Sequence, residues 1–229
     1  YPLPALSAEE VARCRGELER YEAAEGHPLQ GAERNKSHLL FPWVDDLMRH
    51  PRILDIVEDL IGPNVLCWNT LFWIKEARSP SFVSWHQDVR YWGLDTRDLV
   101  TVWLALSPAN EHSGCMRVLP GSHLEDVLPH EDEYDDDNML TRGQSIAMEV
   151  DESKAVTMAL EPGQVSLHNV QLAHASGPNT TDDRRIGLSL HYIPTHARQT
   201  VGEWDCAALV RGEDAYHHFA DAPRPETVG

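Results

Sequence analysis

The sequence predicts a mainly β domain in which two N-terminal helices flank a two-sheet barrel of the jelly-roll or cupin kind. Two stretches with helical periodicity lie before residue 65, and many short β-branched and aromatic runs, separated by turn residues, follow it. This order of elements is typical of sheets packed face to face with helices outside them. The 229 residues, of which 41% are hydrophobic, suffice for one sizeable core. We therefore expect a single domain over residues 1–229.

The helical N-terminal flank, residues 1–64, contains both predicted helices. The first begins at a capping box formed by Ser7 and Glu10 and ends near Gly26. The second begins at Pro51 and ends at Gly62, because proline is favoured in a first helical turn and glycine just after a last one. Helical spacing is shared by two apolar sets, which are Val11, Cys14, Leu18 and Tyr21 in the first helix and Ile53, Leu54, Val57, Leu60 and Ile61 in the second.

The β-barrel core is expected over residues 65–211. Its candidate strands are Val65–Lys75, Val83–Asp88, Val100–Leu106, Cys115–Leu119, Val156–Leu160, Val165–Asn169, Gln171–Ala175, Arg185–Ile193 and Arg198–Val201. An acidic insertion, residues 125–153, interrupts the core and lacks periodicity, so it is either a mobile lid over a site or a disordered loop. A polar C-terminal tail, residues 212–229, contains aromatic residues that could dock onto the barrel.

The charge of the chain argues against nucleic acid as a partner. The sequence has 19 basic and 37 acidic residues, which gives a formal net charge of −18. Nucleic acid binding depends on Lys and Arg side chains that neutralise phosphates. A small polar or cationic metabolite is the more natural substrate for so acidic a chain.

Cysteine usage and hydropathy favour a cytoplasmic protein with no membrane association. The four cysteines form no CxxC pair and indicate neither a disulfide framework nor a zinc site. No apolar run approaches the length needed to span a bilayer. The sequence begins at Tyr1 rather than Met, which weakens any conclusion about a targeting peptide, and nothing in it indicates the oligomeric state.

A candidate metal site is centred on the stretch Trp85-His86-Gln87-Asp88. If this stretch is a β-strand, His86 and Asp88 point to the same face and can bind one ion. His174 is the best candidate for a third ligand. Two histidines and one carboxylate suit a non-haem Fe(II) oxygenase, because they leave positions open for a co-substrate and O₂.

Arg185 is a candidate anion-binding residue near this site. Alternation along its strand puts Ile186, Leu188 and Leu190 on one face and Arg185 on a polar face that could line the barrel. Turn-forming residues lie between His174 and Arg185, so we expect the two strands to pair. A guanidinium suits two-point binding of a carboxylate, and Ser176 could add a hydroxyl group. The alternative is a salt bridge from Arg185 to one of the many acidic side chains.

These residues together resemble the phytanoyl-CoA dioxygenase family. The resemblance is carried by Trp85-His86-Gln87-Asp88, by the stretch from Gly114 to His123, by the stretch from His174 to Asn179, and by Arg185. Members of that family are Fe(II)- and 2-oxoglutarate-dependent oxygenases with a double-stranded β-helix fold. The resemblance covers most of the chain between residues 35 and 211.

The resemblance implies a role for each site residue. His86, Asp88 and His174 would hold Fe(II), while Arg185 and Ser176 would bind the distal carboxylate of 2-oxoglutarate. The reaction would consume O₂, hydroxylate an unactivated C–H bond of a small molecule, and give succinate and CO₂. Related halogenating enzymes have a small residue in place of the metal carboxylate, so the presence of Asp88 favours hydroxylation over chlorination.

Three other functions remain open on the sequence alone. The first is a same-fold oxygenase that catalyses desaturation or cyclisation, the second is a catalytically silent cupin-like metal-binding protein, and the third is a zinc or manganese cupin enzyme without an oxo-acid. Lys75 is expected at the surface, with a contact to an anionic group as the alternative, and His130 and His191 have no spacing that distinguishes them. Core packing is expected for each aromatic residue near the metal motif, with a wall of the substrate pocket as the alternative, for Trp85, Tyr91, Trp92 and Trp103.

Overall fold

Three helices form the N-terminal flank of the computed structural model, which describes residues 2–140 and 142–228. They are α1 (Ala8–Glu25), α2 (Pro42–Met48) and α3 (Pro51–Ile61). Ser7 and Glu10 form the predicted capping box, and Gly26 ends α1 in the left-handed conformation. Helix α2 was not predicted, because a helix of 7 residues is too short to show a clear period, although Pro42 begins it.

Most strands in the described part of the chain are short. In chain order they are β1 (Leu3–Pro4), β2 (Val65–Lys75), β3 (Val83–His86), β4 (Val100–Ala105), β5 (Met116–Val118), β6 (His130–Asp132), β7 (Gln144–Ile146), β8 (Val156–Thr157), β9 (Gln164–Asn169), β10 (His174–Ser176), β11 (Arg185–Pro194), β12 (Cys206–Arg211) and β13 (Ala220–Asp221). A short helix, α4 (Val89–Trp92), follows β3. Strand β2 has the predicted bounds, and the other predicted strands before residue 194 are each found within a few residues of them, mostly in shorter form.

Two sheets contain eleven of these strands and enclose a cavity. The larger sheet has the order β1-β9-β4-β11-β2-β12-β13, and the smaller has the order β3-β10-β5-β8. Strands β6 and β7 form a separate hairpin within the acidic insertion. No strand pairing joins the two larger sheets within residues 2–140 and 142–228, so the barrel is open at its sides. The predicted mainly β, two-sheet architecture is confirmed.

The alternation along β11 divides the core from the cavity as predicted. Ile186, Leu188 and Leu190 belong to the main hydrophobic core, which also contains apolar residues of α1, α2 and α3. Each such fully buried aliphatic side chain contributes about 1.5–3 kcal/mol to folding. Arg185 and Ser189, on the opposite face, line the cavity. The helices therefore cover one face of the large sheet and leave the other for polar residues.

Asp88 does not lie on a strand, and this part of the prediction is wrong. Strand β3 ends at His86, and Asp88 has helical backbone angles of φ −58° and ψ −37° immediately before α4. The residue types of this stretch favour a strand, but the chain turns at Gln87, whose side chain bonds outside the sheet. Strand alternation is therefore not what brings His86 and Asp88 together.

The predicted pairing between the strands of His174 and Arg185 is also wrong. Strand β10 pairs with β3 and β5 in the small sheet, whereas β11 pairs with β2 and β4 in the large sheet. The turn formers between the two strands carry the chain from one sheet to the other instead of closing a hairpin. His174 and Arg185 consequently line the same cavity from different sheets.

The C-terminal part of the core differs from the prediction. The stretch 198–201 is not a strand, and Gln199 makes only an isolated bridge with Leu94. In the large sheet, β2 pairs with β12, a strand that the residue pattern did not reveal. Within the tail, Phe219 is buried and β13 pairs with β12, so this segment docks on the sheet.

Free, buried thiols are present at Cys14, Cys67, Cys115 and Cys206, so the chain has no disulfide among them. No helix in the described ranges is long and apolar enough to cross a membrane.

Candidate functional site

His86, Asp88 and His174 meet at one point, as predicted. One potential ligand atom from each lies within 4.8 Å of the others. The proximity has a backbone cause, because β3 and β10 pair with His86 directly opposite His174 and Asp88 follows at the turn into α4. The imidazole centroids are 4.1 Å apart. These three side chains could hold a metal ion.

The hydrogen bonds of the two histidines leave the same ring nitrogen available in each. Nδ1 of His86 lies 2.9 Å from the carbonyl oxygen of Ser84, and Nδ1 of His174 lies 2.9 Å from that of Leu172. A carbonyl oxygen can only accept, so Nδ1 donates and Nε2 of each neutral ring has a free lone pair. Backbone carbonyls fix metal-binding histidines in this way in many proteins.

The ionisation states at this point suit a cation. Burial lowers the pKa of His174 to about 4, helped by His86 and opposed by Asp88. Burial raises the pKa of Asp88, but His86 and His174 lower it by more, so it lies well below its usual range. Nε2 of His86 lies 3.4 Å from Oδ1 of Asp88. Either a proton on Nε2 or a metal ion bound to both atoms can supply positive charge beside the carboxylate.

Arg185 is buried in the wall of the same cavity and has no carboxylate partner among the described residues. Its exposed fraction is 2%, and its Nε and Nη2 atoms have no hydrogen-bond partner within residues 2–140 and 142–228. The guanidinium lies 5.3 Å from the ring centroid of Trp103, and burial lowers its pKa to about 10. The alternative of a structural salt bridge from Arg185 is therefore not observed.

Ser176 lies at the same end of the cavity, together with an unexpected lysine. Lys75 is fully buried, and its Nζ donates to the Ser176 hydroxyl at 2.7 Å and to the Gly177 carbonyl. Burial, reinforced by the charge of Arg185, lowers the pKa of Lys75 to about 6. The expected surface position of Lys75 is wrong, because β2 directly opposes β11 and puts Lys75 beside Arg185.

A glycine makes room for the aromatic ring beneath Arg185. A Cβ atom at Gly187 would lie 2.0 Å from a ring carbon of Trp103. Any larger residue there would displace Trp103 and, with it, the surface on which Arg185 rests. The sequence gives a weak signal for this role, which is a glycine in the interior of a predicted strand.

The cavity has a volume of about 650 Å³ and is lined from both sheets and from the acidic insertion. Three of the four aromatic residues near the metal motif line it, namely Tyr91, Trp92 and Trp103. Trp85 lies outside this cavity and donates a hydrogen bond to Glu152. Residues 139–140, 142 and 144 of the insertion also line the cavity.

A row of polar residues on the large sheet was missed in the sequence. His191, Thr101 and His168 lie side by side on β11, β4 and β9 and all line the cavity. Three of their atoms are buried without a hydrogen-bond partner in the described part of the chain, namely His191 Nδ1, Thr101 Oγ1 and His168 Nδ1. Burial lowers the pKa of His168 to about 3 and that of His191 to about 4, so both rings are neutral at physiological pH. Only the alternation of each strand hinted at these positions, and their alignment depends on strand register.

The comparison with protein families identifies the group to which this site belongs. The sequence model of the phytanoyl-CoA dioxygenase (PhyH) family matches residues 3–187 of this chain. A probable alpha-ketoglutarate-dependent hypophosphite dioxygenase of Stutzerimonas stutzeri is 28% identical over 217 residues, which are 86% of this chain and 75% of that protein. Alpha-ketoglutarate is another name for 2-oxoglutarate.

Solved structures of non-haem enzymes are similar to this chain. The apo form of the non-heme monooxygenase ThoJ is 38% identical with a TM-score of 0.85, over 100% of this chain and 85% of ThoJ. The epimerase SnoN, solved with Fe³⁺, alpha ketoglutarate and nogalamycin RO, shares the fold at 24% identity and a TM-score of 0.71, over 87% of this chain and 80% of SnoN. The predicted class of iron- and 2-oxoglutarate-dependent oxygenases is confirmed. With the family model matching residues 3–187 of 229, this chain belongs to the phytanoyl-CoA dioxygenase family.

Proposed function

We propose that this chain is an Fe(II)- and 2-oxoglutarate-dependent dioxygenase that hydroxylates an unactivated C–H bond of a small molecule, with succinate and CO₂ as co-products. One observation carries the proposal. Three potential metal ligands and a buried guanidinium without a carboxylate partner line a single cavity. An arrangement that leaves a buried charge unpaired costs several kcal/mol, so it is expected where a ligand supplies the missing partner.

His86, Asp88 and His174 would hold the iron through two Nε2 atoms and one carboxylate. Their donor set fits Fe(II), because both imidazoles present a lone pair and the carboxylate is ionised. Bound iron would supply the activation of O₂ and the oxidation of the substrate, coupled to decarboxylation of the co-substrate. The protein's own contribution is to hold three ligands on one side and leave the cavity side open.

Arg185 would bind the distal carboxylate of 2-oxoglutarate. The guanidinium faces the cavity with unused N–H groups and can make a two-point contact. Ser176 and Lys75 would assist, since the Ser176 hydroxyl lines the cavity and already accepts from Lys75. A lysine with a pKa of about 6 can take up a proton when a carboxylate binds beside it.

Hydroxylation is the reaction we favour, because Asp88 occupies the position that is small in related halogenating enzymes. Desaturation and cyclisation are the alternatives, since a protein of the same fold, SnoK, is described as a carbocyclase. Product analysis separates them. Hydroxylation adds one oxygen atom from ¹⁸O₂ to the product, whereas desaturation and cyclisation remove two hydrogen atoms and add no oxygen.

The test of the enzyme class needs no knowledge of the substrate. Purified protein is incubated with Fe(II), 2-oxoglutarate and air, and the slow formation of succinate without a primary substrate is measured. Arg185→Gln should raise the KM for 2-oxoglutarate at least about 30-fold, which corresponds to about 2 kcal/mol for one member of a buried charge pair. The exposed Arg13→Gln, which makes the same change of charge away from the cavity, should behave as wild type.

Two outcomes would contradict the proposal. Tight metal binding with no loss of 2-oxoglutarate would favour a silent cupin-like protein. Turnover that requires zinc or manganese and is indifferent to Arg185→Gln would favour a metal enzyme without an oxo-acid.

A further inference from the structure

The charged side chains that line the cavity are mostly positive, whereas the chain as a whole is strongly negative. The cavity wall contains three guanidinium groups, those of Arg34, Arg142 and Arg185, and within the described ranges Asp88 is its only carboxylate. The chain as a whole carries a formal charge of −18. Many arginines elsewhere are paired, such as Arg184 with Glu22. None of the three cavity arginines has an ion pair with a described residue.

Arg34 is held in place but leaves its terminal N–H groups unused. Its Nε donates to the carbonyl oxygen of Phe72 at 2.9 Å, and its guanidinium lies 5.7 Å from the ring centroid of Trp73. Neither terminal nitrogen has a hydrogen-bond partner in the part of the chain that the structure describes. Burial alone lowers the pKa of Arg34, since no carboxylate offsets it. The side chain is thus oriented for a ligand that this chain does not provide.

The loaded site would leave Arg34 without a counter-charge. If Fe(II) and 2-oxoglutarate bind as proposed above, the two positive charges of the metal and that of Arg185 balance Asp88 and the two carboxylates of the co-substrate. Proton uptake by Lys75 would only add positive charge. Arg34, which is partly buried, therefore remains uncompensated beside a neutral centre, and the exposed Arg142 adds a further positive charge at the cavity.

We propose that Arg34, with Arg142 from the acidic insertion, binds an oxyanion group of the primary substrate, either a carboxylate or a phosphate. This inference rests on the proposed function, because it assigns to the primary substrate the two arginines that 2-oxoglutarate leaves without a partner. Guanidinium groups bind both oxyanions in two-point geometry. The local charge of the cavity thus points to an anionic substrate, where the net charge of the chain suggested a polar or cationic one.

A competing role for Arg34 is a second contact with 2-oxoglutarate. Arg34 is near enough to Arg185 for its charge to lower the pKa of Arg185 further. The two roles are distinguishable. If Arg34 binds the primary substrate, mutation of Arg34 leaves the affinity for 2-oxoglutarate unchanged. If Arg34 contacts 2-oxoglutarate, the same mutation weakens that affinity.

The test uses the full chain loaded with Mn(II) and saturating 2-oxoglutarate without O₂. Isothermal titration calorimetry then measures the binding of four probes of similar size: benzoate, phenyl phosphate, the neutral benzamide and the cationic benzamidine. We expect at least one of the anions to bind at least tenfold more tightly than benzamide. Arg34→Gln should remove that preference, Arg34→Lys should restore part of it, and the exposed Arg13→Gln should retain it.

Several results would overturn the inference. They are equal or tighter binding of benzamide or benzamidine, absence of binding by both anions at millimolar concentration, or full anion binding by Arg34→Gln.

A separate titration of 2-oxoglutarate into each Mn(II)-loaded variant completes the test. Weaker 2-oxoglutarate binding by Arg34→Gln would assign Arg34 to the co-substrate instead. If wild type itself fails to bind 2-oxoglutarate, the proposed function fails, whereas binding of 2-oxoglutarate without the anions defeats only this inference.

Discussion

At the scale of one residue, burial changes the charge of the Lys75 side chain in the free protein. Its Nζ is surrounded by oxygen acceptors of Ser176 and Gly177, which can bind either form of the amine. Burial and the nearby charge of Arg185 lower its pKa to about 6, so the free protein holds it largely uncharged at neutral pH. The protein thereby avoids two adjacent unpaired cations until an anion arrives.

We expect the binding of 2-oxoglutarate to be accompanied by proton uptake at Lys75. A carboxylate beside the amine stabilises the ammonium form and raises its pKa above about 6. Between pH 6 and the raised pKa, the complex binds more protons than the free protein, so affinity should fall as the pH rises through this window. Calorimetry in buffers of different ionisation enthalpy, on Mn(II)-loaded protein, measures the uptake.

Lys75→Met should still bind 2-oxoglutarate, more weakly and without the proton uptake. Lys154, which is exposed and does not line the cavity, provides the matched Lys154→Met control, which should retain the uptake. Equal proton uptake by wild type and Lys75→Met would show that another group takes the proton.

At the scale of elements, the metal site depends on the turn between β3 and α4. Gln87 ties this turn to two other segments, because its Nε2 donates to the carbonyl of Gln171 at 2.6 Å and its Oε1 accepts from the backbone of Leu128 at 2.8 Å. The backbone N–H of Gln87 donates to Nε2 of His130 at 3.1 Å. His86 and Asp88 are thus held on either side of a fixed residue.

Gln87→Leu should lower metal affinity about 10–100-fold, which is typical when support for metal ligands is removed. The substitution leaves all three ligands in place but frees the turn that orients them. Titration with Mn(II) measures the affinity, and thermal unfolding without metal shows whether the fold is intact. Unchanged metal binding with a destabilised fold would mean that Gln87 serves the fold and not the site.

At the scale of the whole molecule, the site lies where the two sheets are not joined by strand pairing. His86 and His174 belong to the small sheet, whereas Arg185 and Lys75 belong to the large one. A metal ion with 2-oxoglutarate would therefore connect the sheets through its ligands. A ligand that binds only the folded chain raises the free energy of unfolding, since the unfolded chain has no such site.

We expect Mn(II) and 2-oxoglutarate together to raise the midpoint of thermal unfolding more than Mn(II) alone. At a ligand concentration of 100 times Kd, the added stability is about 2.7 kcal/mol. Removal of the metal with a chelator should abolish the increment. His174→Ala should show neither increment, and Arg185→Gln should retain only that of the metal. An equal effect of Mn(II) with and without 2-oxoglutarate in wild type would contradict a bridging co-substrate.

The sequence by itself determined the features that depend on residue type and short spacing. Alternation gave the strands and the polar face of β11, the capping box gave α1, and the motif residues His86, Asp88, His174 and Arg185 were all identified. Such patterns are local, so they survive without knowledge of which strands pair. The family resemblance rests on the same local motifs.

Only the tertiary structure decided which distant residues meet. The turn at Gln87, the separation of β10 and β11 into two sheets and the burial of Lys75 depend on strand pairing and register. The same is true of the row of His168, Thr101 and His191 and of the contact of Arg34 with Trp73. Pairing joins residues that are far apart in the chain, and a shift by one residue reverses every side chain, so no local pattern fixes it.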